Sequence, residues 1–123
     1  MLFRSLDEII NGVKEDLLVR KLKKPNINQE LSTATNPKDA FTALNKDSIQ
    51  IISEVKRSSP SKGELAKISS PSDLAREYEE AGAAVVSVLT EERRFKGSIA
   101  DFEEVRSSID IRSEEHTSEL QSH

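Results

Sequence analysis

The sequence predicts an α/β fold built on a parallel sheet. Three observations carry this. From residue 49 onward the chain runs strand, loop, helix, strand, loop, helix, an order that implies parallel strands joined by right-handed crossovers. The second strand, AAVVSVL at 83–89, is apolar on both faces, as a strand covered on both sides must be. The first, at 49–55, ends by presenting Glu54, Lys56 and Arg57 before breaking into a loop of Ser, Pro, Lys and Gly. A buried strand that delivers an acid and a base at its carboxyl end is how a (β/α)8 barrel builds an active site.

Composition narrows the class. The 123 residues make one ordinary domain or a fraction of a larger one. The net charge of −4 argues against a general nucleic-acid binder. With no cysteine there is no disulfide framework and no thiolate metal site. No apolar run is long enough to span a membrane, and Asp7 and Glu8 come too early for a signal peptide. The expectation is a soluble, cytoplasmic protein that binds neither nucleic acid nor membrane.

The two ends read as foreign. The tail at 112–123, RSEEHTSELQSH, resembles the translation of a common sequencing adapter. Arg112 to His116 can be encoded by AGA TCG GAA GAG CAC. The reverse complement, GTG CTC TTC CGA TCT, reads as Met1 to Ser5 when GTG serves as the start codon. The expected organisation is therefore 1–5 adapter-derived, 6–47 an N-terminal helical extension, 48–111 two βα units, and 112–123 an adapter-derived tail. This sets aside both histidines, His116 and His123, as metal ligands.

The elements follow in order. Residues 6–24 form a helix with an apolar stripe of Leu6, Ile9, Ile10, Val13 and Leu17. Asp7 and Glu8 fall in its first turn and Arg20, Lys21, Lys23 and Lys24 in its last, matching the helix dipole. Pro25 stops it. Ser5 with Glu8 has the spacing of a capping box. Residues 26–35 are polar, without period, and read as a linker. Asn36 as cap and Pro37 as first residue open a short helix, with Ala40, Phe41 and Leu44 as its apolar face.

In the strand at 49–55, alternation puts Ile49, Ile51, Ser53 and Val55 on one face and Gln50, Ile52, Glu54 and Lys56 on the other. Ser70, Pro71 and Asp73 start a helix whose buried face is Leu74, Ala75, Tyr78 and Ala81. Gly82 ends it. The strand at 83–89 follows, then a charged loop, TEERRFK, at 90–96. Ser98 caps a last helix with Phe102, Val105 and Ile109 inward. A third strand is due at 110–111.

These residues resemble indole-3-glycerol-phosphate synthase. The resemblance rests on ISEVKRSSPSKG at 52–63, AGAAVVSVLT at 81–90 and FKGS at 95–98, together with the helices before the first strand. It covers essentially all of 6–111. It implies the N-terminal part of a (β/α)8 TIM barrel: a helical extension plus the first two βα units. The implied reaction is closure and decarboxylation of 1-(2-carboxyphenylamino)-1-deoxyribulose 5-phosphate, an anilino sugar phosphate, in tryptophan biosynthesis. It is a carboxy-lyase reaction, and no metal or organic cofactor is implied.

The resemblance also implies roles. Glu54 assists proton transfer in the late dehydration. Lys56 contacts the substrate's anionic groups and joins in acid catalysis. Ser59 and Pro60 line the substrate carboxylate and ring, Ser59 as a hydrogen-bond donor, and Phe95 packs on the ring. Glu91, Glu92, Arg93 and Arg94 read as a solvated loop face, and Arg57 and Lys62 as a source of positive potential. The family's third-strand general-acid lysine and its phosphate cradle after the last two strands fall outside 6–111, so a truncated, inactive chain is expected. Two alternatives stay open: another phosphate-binding barrel such as phosphoribosylanthranilate isomerase, or a small non-enzymatic α/β module.

Overall fold

The computed structural model describes residues 2–116 and 120–122, with side chains for 6–111. The chain divides into two units, 1–36 and 37–123. The first holds two helices. α1 (Leu2–Lys23) begins four residues before the expected start, so Asp7 and Glu8 lie beyond its first turn. The Ser5 cap falls outside the described side chains. Pro25 lies just beyond the end of α1, as expected. The stretch read as a linker contains a second helix, α2 (Ile27–Thr33), with no buried residue. Its first turn is closed by the Gln29 and Glu30 N–H groups, both donating to the Asn26 carbonyl. No apolar period marks it, because it has no buried face.

The second unit opens with α3 (Ala40–Leu44). Its cap is Asp39, whose carboxylate accepts from the Thr42 N–H at 3.0 Å; the expected cap, Asn36, lies three residues too early. Ala40 and Ala43 are buried, while Phe41 is 76% exposed and not part of the inward face.

β1 (Ile52–Val55) pairs in parallel with β4 (Val85–Leu89), in the register Ile52↔Val85, Ser53↔Val86, Glu54↔Ser87 and Val55↔Val88. The expected strand began at 49. The ladder starts later because its partner does: only the Ala84 N–H to Ile51 carbonyl bond, 2.9 Å, extends it backward. Between these strands lie a tight hairpin, β2 (Ser58–Ser59) with β3 (Gly63–Glu64), and α4 (Pro71–Glu80). After β4 come α5 (Ile99–Ser108), β5 (Arg112–His116) and β6 (Leu120–Ser122). The sheet order is β1-β4-β5-β6, with β5 parallel to β4 and β6 antiparallel to β5. A third parallel strand thus begins one residue after Ile111, in the segment the sequence reading assigned to the adapter-derived tail.

Both expected helix starts in the βα units are present. The Ser70 and Ser98 hydroxyls accept from the Asp73 and Asp101 N–H groups, satisfying donors that the first turn leaves unpaired. α4 ends with Gly82 at φ +98°. There the Gly82 N–H donates to the Glu79 carbonyl and the Ala83 N–H to the Tyr78 carbonyl, the paired bonds of a Schellman end. Ala81, expected inward, is exposed at this terminus.

The core lies on one side of the sheet. Val55, Val86 and Val88 pack with Ala75 of α4 and with Phe102, Val105 and Ile109 in and after α5. Alternation then turns Ile52, Glu54 and Lys56 to the opposite face, as expected. β1 is a sheet edge, and Ile52 is 46% exposed.

Two glycines test this geometry. Gly82→Ala forces a side chain into the left-handed region at a cost of about 1–2 kcal/mol. Gly97→Ala is expected to cost more, because a Cβ there would sit 1.7 Å from the Leu89 carbonyl oxygen. Urea unfolding of both variants measures the order.

Candidate active site

Parallel strands place the loops after β1 and after β4 at the same end of the sheet. Glu54 stands at that end of β1, and Lys56 follows two residues on. With Val55 committed to the core at 2% exposure, both leave β1 on its other face, at the open edge of the sheet. Lys56 Nζ lies 2.8 Å from Glu54 Oε1, with the side chains 34% and 38% exposed. At that exposure the pair contributes at most about 1 kcal/mol to stability. Its consequence is orientation: an ammonium and a carboxylate address one small volume.

An open groove of roughly 430 Å³ runs beside them, lined in part by Glu54, Lys56, Ile68, Leu74 and Tyr78. The Tyr78 hydroxyl donates to the Glu54 backbone carbonyl at 3.0 Å, tying α4 to the site strand. Burial, then the nearby charges of Glu54 and Glu77, raise the Tyr78 pKa.

The register adds a residue that the sequence reading did not single out. Ser87 lies opposite Glu54 on the neighbouring strand, hence on the same face. It is 1% exposed, and its Oγ has no hydrogen-bond partner among the described residues. The one available signal was a lone hydroxyl in an otherwise apolar run.

The remaining candidates sit on the loops. Ser59 Oγ accepts from the Lys62 N–H at 3.2 Å and Gly63 takes φ +66°, so SSPSKG closes the β2–β3 hairpin. Ser59 thereby has a turn role and keeps its O–H free in direction. Pro60 is exposed at the tip, and Phe95 is half-buried in the loop after β4. The structure brings Glu54 and Lys56 into contact. Ser59, Pro60 and Phe95 share their end of the sheet, but none of the three lines the groove.

Two sequence expectations are corrected. Arg57 is not a general source of positive potential. Its Nε and Nη2 reach Asp101 Oδ2 and Oδ1 at 2.8 and 3.0 Å, and its Nη1 donates to the Ile68 carbonyl. This two-pronged pairing fixes the end of β1 to the first turn of α5. The hydrogen bond to Asp101 is the main cause of a raised guanidinium pKa. Glu91 is not a solvated loop residue either. It is 4% exposed, and its carboxylate accepts from the Arg93, Arg94 and Phe95 N–H groups at 3.2, 2.7 and 2.9 Å. Composition marked this loop as charged; nothing local distinguishes a charge that faces water from one that faces its own backbone.

Among the described residues, no group of three or more His, Cys, Asp or Glu side chains is arranged to hold a metal ion. Parallel strands joined by helices, with Glu54 and Lys56 at the carboxyl end of the first, define the class: the opening βα units of a (β/α)8 barrel. The comparisons supply the family. Residues 6–116 match indole-3-glycerol phosphate synthase, and the chain belongs to that family. It is 52% identical over 106 residues to the indole-3-glycerol phosphate synthase of Saccharopolyspora erythraea, covering 85% of this chain and 39% of that protein. It is 52% identical over 108 residues to indole-3-glycerol phosphate synthase 1 of Streptomyces coelicolor, covering 86% and 40%. With the Micrococcus luteus enzyme the figures are 50% over 113 residues, 86% and 42%. The chain therefore spans about 40% of the length of the curated relatives it matches.

Two outcomes are expected at this site. Arg57→Ala removes both prongs from a largely buried Asp101 and costs about 2 kcal/mol. Arg57→Lys restores less than half, because one ammonium cannot span both oxygens. The Tyr78 pKa is higher folded than unfolded, so its contribution to stability is full below about pH 10 and is lost as pH rises through the folded value. Tyr78→Phe should remove that alkaline decline, read from unfolding midpoints across a pH series.

Proposed function

We propose that the chain is the N-terminal part of an enzyme that converts 1-(2-carboxyphenylamino)-1-deoxyribulose 5-phosphate to indole-3-glycerol phosphate, with release of carbon dioxide and water. The observation that carries this reading is the Glu54–Lys56 pair, held at 2.8 Å on the face opposite the core in a chain of this family.

The chemistry asks for such a pair. The ring carbon bearing the carboxylate attacks the ketone carbon, and the ketone oxygen takes a proton to become a hydroxyl. Breaking the bond to the carboxylate releases carbon dioxide and leaves its electrons in the ring. The hydroxyl then leaves as water, taking a second proton, and the methylene carbon next to the nitrogen gives up a proton, completing the indole. A lysine ammonium beside the ketone suits the first transfer and the substrate's anionic groups, and a carboxylate two residues away suits the second. Ser59 and Pro60 would contact the carboxylate and the ring, and Phe95 would pack on the ring. No helix among the described residues is long and apolar enough to cross a membrane, and a cytoplasmic location accords with a reaction on a diffusible sugar phosphate.

Later strands must complete the site. The third-strand position is taken by residues 112–116, whose sequence RSEEH holds no lysine, so the family's third-strand general acid has no counterpart here. The 123-residue chain is expected to show no turnover, read from indole-3-glycerol phosphate fluorescence. Activity should return when residues 112–123 are replaced by the remainder of a full-length relative. In that full-length form, Glu54→Gln and Lys56→Ala should each lower kcat by about 10²–10⁴-fold. Turnover by the short chain, or full activity of both variants, would exclude the assignment.

A further inference from the structure

The charged loop after β4 has an internal organiser. Its residues, 90–97, leave the sheet at Leu89 and enter α5 at Ser98 with no secondary structure of their own. A loop of this kind is ordinarily held by turns or by packing. This one is wound around a single carboxylate. Glu91 Oε1 accepts from the Arg93 N–H, and Glu91 Oε2 accepts from the Arg94 and Phe95 N–H groups. The Glu91 backbone carbonyl accepts from the Gly97 N–H at 2.9 Å. Lys96 takes φ +58° to complete the turn, and Gly97 lies so close to the Leu89 carbonyl that no Cβ fits. Three successive N–H groups converging on one buried anion leave the backbone around Phe95 little freedom, and charge-assisted bonds of this kind are stronger than neutral ones.

We infer that Glu91 is a positioning residue for substrate, acting through the backbone of residues 93–95 to present the Phe95 ring. This rests on the proposed function, in which Phe95 packs on the aromatic ring of the substrate. Glu91 touches no substrate. It is too buried to reach one, and both carboxylate oxygens are already engaged by the loop. Its effect is to settle the loop before the substrate arrives, so that binding does not have to bear the cost of ordering it. Gln at this position has nearly the same shape but aims an amide donor at backbone donors, so it removes at least one bond and sets N–H against N–H.

The test uses the full-length enzyme that carries this segment, with Glu91→Gln, Phe95→Ala and the double variant. Glu92→Gln, an exposed neighbour, is the control. Glu91→Gln should raise KM about tenfold, the equivalent of one lost charge-assisted hydrogen bond, with a smaller fall in kcat. The amides of residues 93–95 should exchange faster with solvent, while Glu92→Gln leaves both measurements unchanged. In the Phe95→Ala background, Glu91→Gln should add little further to KM. Additive effects on KM, or a lower melting temperature with KM and kcat unchanged, would overturn the inference and leave Glu91 a purely structural residue. A wild-type enzyme without synthase activity would refute the proposed function and with it the link to substrate. Amide exchange would still decide, without substrate, whether Glu91 holds the loop.

Discussion

The packing of Val55, Val86 and Val88 against Ala75, Phe102 and Val105 is the constraint on which the rest of this structure depends. In a strand, successive side chains alternate faces. Once Val55 is committed to the helical side, Glu54 and Lys56 must emerge on the other. Once β4 pairs in parallel with β1, Ser87 must stand beside Glu54. The site geometry follows from an apolar contact that lies wholly on the opposite side of the sheet. A one-residue slip of β1 would send Val55 to the solvent side and the two charges into the core, so the burial that stabilises the sheet also enforces the register of the chemistry.

A second theme runs through the loops. Several acidic side chains accept hydrogen bonds from backbone N–H groups. Asp39 caps α3. Glu79 of α4 accepts from the Asp110 and Ile111 N–H groups, where the chain turns toward β5. Glu104 of α5 accepts from the Ser72 N–H in the first turn of α4. Glu91 gathers three donors in the loop after β4. Asp39 and Glu91 close turns on their own neighbours, while Glu79 and Glu104 join segments distant in the chain. The Arg57–Asp101 pair does the same with two side chains, binding the end of the site strand to a helix 44 residues away in sequence. The loops that flank the Glu54–Lys56 pair are thus held by polar groups, while the sheet beneath them is held by apolar ones.

Most of the fold of the βα units is legible in the sequence. The Ser70 and Ser98 caps, the Gly82 end, the buried strand expected at 83–89 and found at 85–89, and the opposed faces of β1 all follow from local pattern and are all present. What was missed lacked a local signal. α2 has no buried face and so no period. The cap of α3 moved from Asn36 to Asp39 because the helix starts where Ala40 can be buried, not where a proline allows it. The strand at 112–116 lies in residues that were read as foreign. A ladder of backbone hydrogen bonds beside an established strand demands little of side-chain identity, so β4 can template a neighbour whose sequence carries no strand pattern.

By itself, the sequence determined which segments are helix and strand in the βα units, and that an acid and a base two residues apart share one strand face. Both are consequences of short-range periodicity and capping, which act within a few residues. Only the tertiary structure decided what each charge does. Glu54 and Lys56 meet each other, Arg57 leaves the group to hold Asp101, and Glu91 turns inward while Glu92 stays in water. The reason is physical: a charged side chain is satisfied by water, by an opposite charge or by the backbone, a carboxylate accepting from N–H groups and a guanidinium donating to carbonyls. Which of these it finds depends on what the fold brings within about 3 Å, and residues distant in the chain supply that.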